Sequence, residues 1–168
     1  MNLNLLHLAW MLTDRRVTAT PARVLAEIAD ATEIELHAHG LIDLGLSDAS
    51  VLALSPDASG RFALSARDVA RASLRGRPTV ILGACRAAQA AAWRHEPWGL
   101  PLAFITAGAS AVYASPAPIG DADAGPFFAA VLARVRDHQS PARALRDERM
   151  RVLSQDAGNW VRQLLVFQ

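Results

Sequence analysis

Two short stretches of the sequence carry residue types that could together perform nucleophilic catalysis. One is His39-Gly40 and the other is Ala84-Cys85, which contains the only cysteine of the chain. A cysteine attacks a carbonyl carbon as its thiolate, and a nearby imidazole can accept the thiol proton and later protonate the leaving amine. From the pattern alone a second interpretation stays open, because a single cysteine at a strand end is often a small buried hydrophobic residue and a single histidine is often structural.

The elements that would position this pair form a strand–helix–strand unit. Residues 33–38 alternate between polar and apolar and predict a strand, whereas residues 79–83 are a compact apolar run typical of a strand buried on both faces. A helix predicted over residues 66–74 separates them. Such a unit places its two strands parallel and often side by side. Because catalytic groups gather at the carboxyl ends of parallel strands, we expect His39 and Cys85 to face each other there.

Two glycines flank the candidate pair and support this interpretation. Gly40 and Gly83 lack a side chain and so permit close approach of the backbone beside a reactive group. The backbone N–H groups of Gly40 and Cys85 are the natural candidates for an oxyanion hole, which is usually a large contribution to acyl transfer.

The remaining segments extend the pattern into an α/β fold. Capping residues such as Thr20, Ser65 and Ser140, together with apolar spacing, predict helices over residues 5–12, 22–29, 66–74, 98–106, 122–135 and 141–153. Apolar runs predict further strands over 51–54, 62–64, 111–114 and 160–167, the first two forming a hairpin. Strands that alternate with helices indicate one α/β sandwich with a largely parallel sheet.

Composition and charge argue against two classes of function. The chain has 168 residues, and 17 basic against 16 acidic side chains leave no basic block or stripe, so nucleic-acid binding is not expected. Residues 1–12 are partly apolar but have no basic n-region and no cleavage site of small residues, so neither a signal peptide nor a membrane span is expected. A single cysteine allows no internal disulfide and fits a reducing compartment. We therefore expect a soluble protein of the cytoplasm.

Five stretches in order carry a resemblance to one protein family. His37-Ala-His39-Gly40 resembles a motif in which the histidine directly before the glycine is catalytic, and Ile81-Leu-Gly-Ala-Cys85-Arg86 resembles a strand that ends on the nucleophile. The other three resemble the next helix and strand, a late helix and a closing strand; they are Gly99-Leu-Pro-Leu-Ala-Phe-Ile-Thr-Ala-Gly-Ala109 with Ala111-Val-Tyr-Ala-Ser115, Ser140-Pro-Ala-Arg-Ala-Leu-Arg146 and Trp160-Val-Arg-Gln-Leu-Leu-Val-Phe167. Together they resemble the CHAT domain family, within the caspase and separase clan.

This resemblance implies both a fold and an activity. The fold is a caspase-like three-layer α/β/α sandwich, formed here as a single domain over residues 1–168 with the N-terminal part of the family domain shortened or absent. The activity is hydrolysis of a peptide bond in a protein substrate through a thioester acyl-enzyme, with Cys85 as the nucleophile and His39 as the general base and acid. No metal and no organic cofactor is implied. The resemblance also implies an activating protein or module, and it implies regulated proteolysis in the bacterial cytoplasm.

The sequence departs from the family pattern at two places that keep alternatives open. Ala38 stands where the family usually has glycine before the catalytic histidine, and the Pro116-Ala-Pro118 loop replaces a family tryptophan. The altered histidine motif, together with the shortened N-terminal part, supports a second hypothesis, a catalytically weak or inactive protein-interaction module that keeps the fold. A redox or phosphatase cysteine ranks last, because the surroundings of Cys85 have neither a Cys-x-x-Cys pair nor a glycine-rich phosphate loop.

Other polar residues near the predicted site have two interpretations each. Asp121 and Asp123 could bind a basic side chain before the scissile bond, or could be the negative charges common at a helix N-terminus, which we favour. His37 is predicted to pack or to form a hydrogen bond, without a catalytic role. Arg86 could favour the thiolate of the adjacent cysteine or lie on the surface.

Overall fold

A computed structural model of the chain describes residues 5–9, 19–42, 50–88, 91–93, 96–154 and 159–168. The strands are β1 (Leu5–Ala9), β2 (Glu33–His37), β3 (His39–Ile42), β4 (Ser50–Ala53), β5 (Ala63–Ser65), β6 (Thr79–Leu82), β7 (Ala91–Trp93), β8 (Glu96–Trp98), β9 (Ala111–Ala114) and β10 (Leu165–Phe167). The helices are α1 (Pro21–Glu27), α2 (Ala66–Ala70), α3 (Leu100–Ala107), α4 (Asp121–Arg136) and α5 (Pro141–Leu153). Short 3-10 helices cover Ile28–Asp30 and Asn159–Gln163.

The central sheet has five strands in the order β1-β2-β6-β9-β10. The first four strands run parallel to one another, and only β10 is antiparallel to its neighbour. Every side chain of β6 and β9 is buried, as expected for parallel strands covered on both faces. The predicted largely parallel sheet is confirmed.

Two buried clusters cover the two faces of this sheet. One contains Leu36 and Leu82 with side chains of α1, α2 and α3, such as Phe104. The other contains Ile81 with side chains of α4 and α5, such as Phe128. Adjacent strand residues alternate between the two clusters because successive side chains point to opposite faces. The resulting layers agree with the expected caspase-like α/β/α sandwich.

Two smaller antiparallel sheets flank the central one. The first has the order β3-β4-β5, and it contains the predicted hairpin, in which Leu52 lies opposite Leu64. The second is the β7-β8 hairpin, which the sequence analysis did not predict. Pro97 lies inside β8, and proline within a short run argues against a strand in sequence-based reasoning.

The helix predicted over residues 5–12 is wrong. Residues Leu5–Ala9 form β1, which pairs in parallel with β2 and places Leu8 opposite Leu36. Periodicity cannot separate a helix from a buried strand in so short an apolar run, and pairing with β2 decides the outcome. The end of the predicted helix, Leu12, lies outside the described residues.

Two other predicted elements differ from the structure in their extent. Ser65 and Asp68 form a capping box at the start of α2, yet the helix ends at Ala70 rather than at residue 74. The reason is that the Leu74 N–H donates to the carbonyl of Ala107 at the end of α3, at 2.8 Å, instead of continuing the helix. The strand predicted over 160–167 is wrong in its first half, which belongs to a 3-10 helix, and only Leu165–Phe167 form the short β10.

The ends of several helices follow the predicted capping pattern. Thr20 Oγ1 accepts from the Arg23 N–H at 3.4 Å and begins α1. Gly108 ends α3 with a φ of 115°, which glycine adopts at little cost. Ser140 does precede α5, but its side chain makes no capping hydrogen bond. Within the residues described, no helix is both long and apolar enough to cross a membrane.

A buried carboxylate connects α4 to α5. Glu148 is 1% exposed and accepts from Arg134 Nη2 at 3.3 Å and from Arg151 Nε at 2.8 Å. Burial alone raises the pKa of Glu148, but the hydrogen bonds and charges of Arg151 and Arg134 outweigh it and hold the pKa below the ordinary value of 4.5. The ionised form is therefore favoured by folding.

This lowered pKa predicts a pH dependence of stability. The contribution of Glu148 is fully present above its ordinary pKa of 4.5 and is lost as the pH falls through the lower folded value. We expect Glu148→Gln to lower the free energy of unfolding at pH 7 by about 1–3 kcal/mol. We also expect the difference between variant and wild type to shrink below pH 4.5, in urea titrations at several pH values. A difference that does not change with pH would contradict this assignment.

Candidate active site

The strands before the two candidate residues are direct neighbours. β2 and β6 pair in parallel with Leu36 opposite Leu82, and the Gly83 N–H donates to the Leu36 carbonyl at 2.9 Å. Neighbouring strands lie about 5 Å apart. His39 and Cys85 each follow their strand by two or three residues, so both leave the sheet at the same carboxyl edge. The predicted strand–helix–strand arrangement is thereby confirmed.

Gly40 brings the histidine segment against the cysteine segment. A Cβ atom built on Gly40 would overlap the carbonyl oxygen of Cys85 and would lie 3.7 Å from the Cβ of Ala84. Any side chain at this position would have to displace backbone. The expected close approach at Gly40 therefore occurs, and its partner is the main chain of the candidate nucleophile.

The candidate residues differ in their surroundings. His39 begins β3, pairs with Ala53 of β4 and is exposed. It therefore stands where the chain passes from the central sheet to the β3-β4-β5 sheet. Cys85 is half-buried and carries a free thiol. Both residues are therefore accessible to solvent at least in part.

The turn after Cys85 is held against the loop that follows β9. The Arg86 N–H donates to the Ala117 carbonyl at 3.2 Å, and the Ala88 N–H donates to the carbonyl of Ser115 at 2.9 Å. Ser115 is fully buried, and its hydroxyl oxygen accepts from the Ala117 N–H at 3.1 Å. These bonds fix the position of the residue that follows the thiol.

These hydrogen bonds limit which backbone N–H groups near Cys85 can donate to an oxyanion. The Arg86 N–H is already occupied by Ala117, whereas no backbone hydrogen bond between described residues uses the Cys85 N–H. A free N–H on the nucleophile itself is what the predicted oxyanion hole needs. The role of the Gly40 and Cys85 N–H groups stays a prediction.

Arg86 is exposed and has a φ of 60°, in the left-handed region that side chains other than glycine and asparagine disfavour. We expect Arg86→Gly to leave the free energy of unfolding unchanged or to raise it by up to about 1 kcal/mol. Arg86→Val should lower it by about 1–2 kcal/mol, because a β-branched residue resists this conformation. Urea denaturation of both variants tests the assignment; equal effects of valine and glycine would contradict it.

His37 forms the kind of contact that was predicted for it. Its Nε2 lies 3.2 Å from Oε2 of Glu35, and its ring covers the Cα of Gly83. The expected close approach at Gly83 therefore involves a side chain rather than backbone. The partner of this histidine, Glu35, is not predicted from the sequence, although a carboxylate in a buried strand signals that a partner is nearby.

The two aspartates considered for substrate binding lie in the first turn of α4. Residue 121 begins α4, directly after the loop whose Ala117 carbonyl accepts from Arg86. The side chains of Asp121 and Asp123 lie outside what the structure describes. A role for them in substrate binding stays a prediction.

An open hollow of about 360 Å³ lies at the start of α5 and is lined by Ser140, Ala142, Arg143 and Arg146. It contains neither candidate catalytic residue. Both arginines lie near Asp147, whose carboxylate is within 3.5 Å of Arg143 and 2.7 Å of Arg146. Among the described residues, no group of three or more His, Cys, Asp or Glu is placed to hold a metal ion.

A comparison with protein families decides the membership of the chain. A model of the CHAT domain matches residues 10–164, which is nearly the whole chain. The chain belongs to the CHAT domain family. This family is peptidase-like, and the α/β/α sandwich described above agrees with a caspase-like fold. A search of curated proteins found no match to this CHAT chain.

Proposed function

We propose that this CHAT domain is a cysteine endopeptidase that hydrolyses a peptide bond in a protein substrate. One observation carries the proposal: the backbone of Gly40 lies against the Cys85 carbonyl, which brings the histidine motif to the cysteine motif at one edge of the sheet. In this proposal Cys85 is the nucleophile and His39 is the general base and acid. The protein acts in the cytoplasm, and a partner protein or module raises the activity of the site.

The first half of the reaction acylates the enzyme. His39 takes the thiol proton as Cys85 Sγ attacks the carbonyl carbon, and a C–S bond forms. The oxygen of the tetrahedral intermediate carries the negative charge and accepts hydrogen bonds from the N–H groups of Gly40 and Cys85. Collapse breaks the C–N bond, and the imidazolium of His39 gives its proton to the leaving amine. A thioester on Cys85 remains.

The second half restores the free thiol. His39 removes a proton from a water molecule, which attacks the thioester carbon. The C–S bond then breaks, the carboxylic acid product leaves, and the sulfur regains its proton from His39. No metal or organic cofactor enters either half.

A second candidate function is a non-catalytic protein-interaction module. Ala38 favours it, because a side chain stands where the family usually has glycine and packs against the cluster that contains Leu36. This candidate predicts partner binding that persists in Cys85→Ala and an ordinary thiol reactivity.

A mechanism-based probe separates the two candidates. We would treat the chain with biotinylated peptidyl acyloxymethyl ketones that carry an acidic, a basic or an apolar residue before the ketone, and locate the adduct by mass spectrometry. The peptidase proposal predicts a thioether on Cys85 with at least one probe, formed at least about tenfold more slowly in His39→Ala. If every probe reacts no faster with the folded chain than with the denatured chain, while iodoacetamide still labels Cys85, the peptidase proposal is wrong.

A further inference from the structure

A second histidine, His37, lies at the end of β2, two residues before the candidate catalytic His39. On β2, the side chains of Glu35 and His37 lie on the face of the sheet that α4 covers, since they bond to each other and the ring of His37 meets that of Phe128. Gly83 directly follows the neighbouring β6 and contacts the ring of His37. Two residues beyond His37 is His39, and two residues beyond Gly83 is Cys85.

The absence of a side chain at Gly83 leaves space for the ring of His37. A Cβ built on Gly83 would overlap Nδ1 of His37 and would lie 2.8 Å from its Cε1 and 3.1 Å from its Cγ. The imidazole therefore lies against the backbone directly after β6, two residues before the thiol. An alanine at position 83 would compete with the ring for the same space.

The ring is also held from two other directions. Glu35 is 8% exposed, and its Oε2 lies 3.2 Å from Nε2 of His37. Phe128 of α4 meets the imidazole edge to face, with the ring centroids 6.5 Å apart. Trp160 packs on Phe128 in turn, with centroids 6.1 Å apart. A ring with three defined neighbours has little freedom to change its rotamer.

We propose that His37, oriented by Glu35, is a positioning residue for Cys85. It acts through Gly83: the imidazole supports the end of β6 and so fixes where the thiol stands relative to His39. This inference rests on the proposed peptidase function. Positioning of this kind matters because a shift of about 1 Å between reacting groups can reduce a rate about a hundredfold.

The test measures the rate constant for alkylation of Cys85 by iodoacetamide at pH 7, well below the melting temperature of each variant. We expect His37→Ala and Gly83→Ala each to slow the reaction about tenfold. We expect the double variant to be no slower than the slower single variant, because both changes remove the same contact. His37→Gln should restore a rate close to that of the wild type, since its amide can donate to Glu35.

Gly125→Ala is the matched control for the glycine substitution. Gly125 lies in α4, and a Cβ built there meets nothing within 4 Å, so its alkylation rate should equal that of the wild type. If His37→Ala does not fold, the other two variants still test the inference. Slow alkylation of Cys85 in Gly83→Ala and fast alkylation in His37→Gln support it. A folded Gly83→Ala that reacts at the wild-type rate overturns it.

His39→Ala, measured in parallel, separates this inference from the proposed function. If His39→Ala slows alkylation and His37→Ala does not, the positioning role alone is wrong. The role is also wrong if the losses of the two single variants multiply in the double variant, since His37 would then not act through Gly83. If His39→Ala has no effect, the peptidase proposal fails together with the inference.

Discussion

The Gly40→Ala variant is expected to lose most of the reactivity of Cys85 and part of its stability. The added methyl group would overlap the carbonyl oxygen of Cys85, which is backbone and cannot rotate away. Overpacking of this kind costs about 1–3 kcal/mol. The relief comes from moving β3, and with it His39, away from the thiol. We therefore expect the alkylation rate of Cys85 to fall by about ten- to a hundredfold, measured with iodoacetamide beside a urea titration.

Gly125→Ala is again the control. Alanine in a helix interior is favoured over glycine by about 0.5–1 kcal/mol, but the ring of Pro126 crowds a Cβ on the residue before it, which opposes this gain. We expect this variant to react at the wild-type rate and to differ from the wild type in stability by less than about 1 kcal/mol. A Gly40→Ala protein that keeps both the wild-type stability and the wild-type rate would show that the two motifs are not in contact.

The second large effect is expected at Phe104, whose ring is fully buried in the cluster between the sheet and α1, α2 and α3. Removing a phenylalanine ring from such a core costs about 3–5 kcal/mol, which is a large part of the stability of a single domain. We expect Phe104→Ala to lower the free energy of unfolding by this amount. Urea denaturation followed by circular dichroism measures it.

Leu102 on the same helix provides the matched comparison. Its side chain is 38% exposed, so Leu102→Ala leaves no buried cavity and is expected to cost less than about 1 kcal/mol. Similar losses for the two variants would mean that α3 does not bury the face assigned to it.

The parallel pairing of β2 and β6 can be predicted from the sequence, because the helix and strand signals there agree. The alternation at residues 33–38 and the apolar run at 79–83 predict two strands, and the helix between them requires a crossover. A crossover of this length makes the strands parallel, and β2 and β6 are indeed direct neighbours. The meeting of the His39 and Cys85 segments at one edge follows from that topology.

Short apolar segments are where the prediction failed. Residues 5–9 could form a helix face or a buried strand, and only the presence of a neighbour, β2, decides in favour of the strand. In the same way α2 stops at Ala70 because the backbone near Leu74 bonds to α3, a contact distant in sequence. Local propensity carries no information on either partner.

The environment of the candidate site was predicted only in part. Glycine at positions 40 and 83 indicates close approach, but the sequence does not tell which group approaches. The structure supplies a backbone carbonyl at Gly40 and an imidazole at Gly83. The chain also turns into a separate sheet at His39, which strand alternation could not reveal, because β3 follows β2 after a single residue.

The most direct test of the central claim is the alkylation rate of Cys85 from pH 6 to pH 8, in the wild type and in His39→Ala. Transfer of the thiol proton to a positioned histidine contributes about a hundredfold or more to such reactions. We predict that the wild type reacts at least about tenfold faster than His39→Ala at neutral pH and keeps its advantage below it. Equal and slow rates in both proteins would contradict the proposed His39–Cys85 pair.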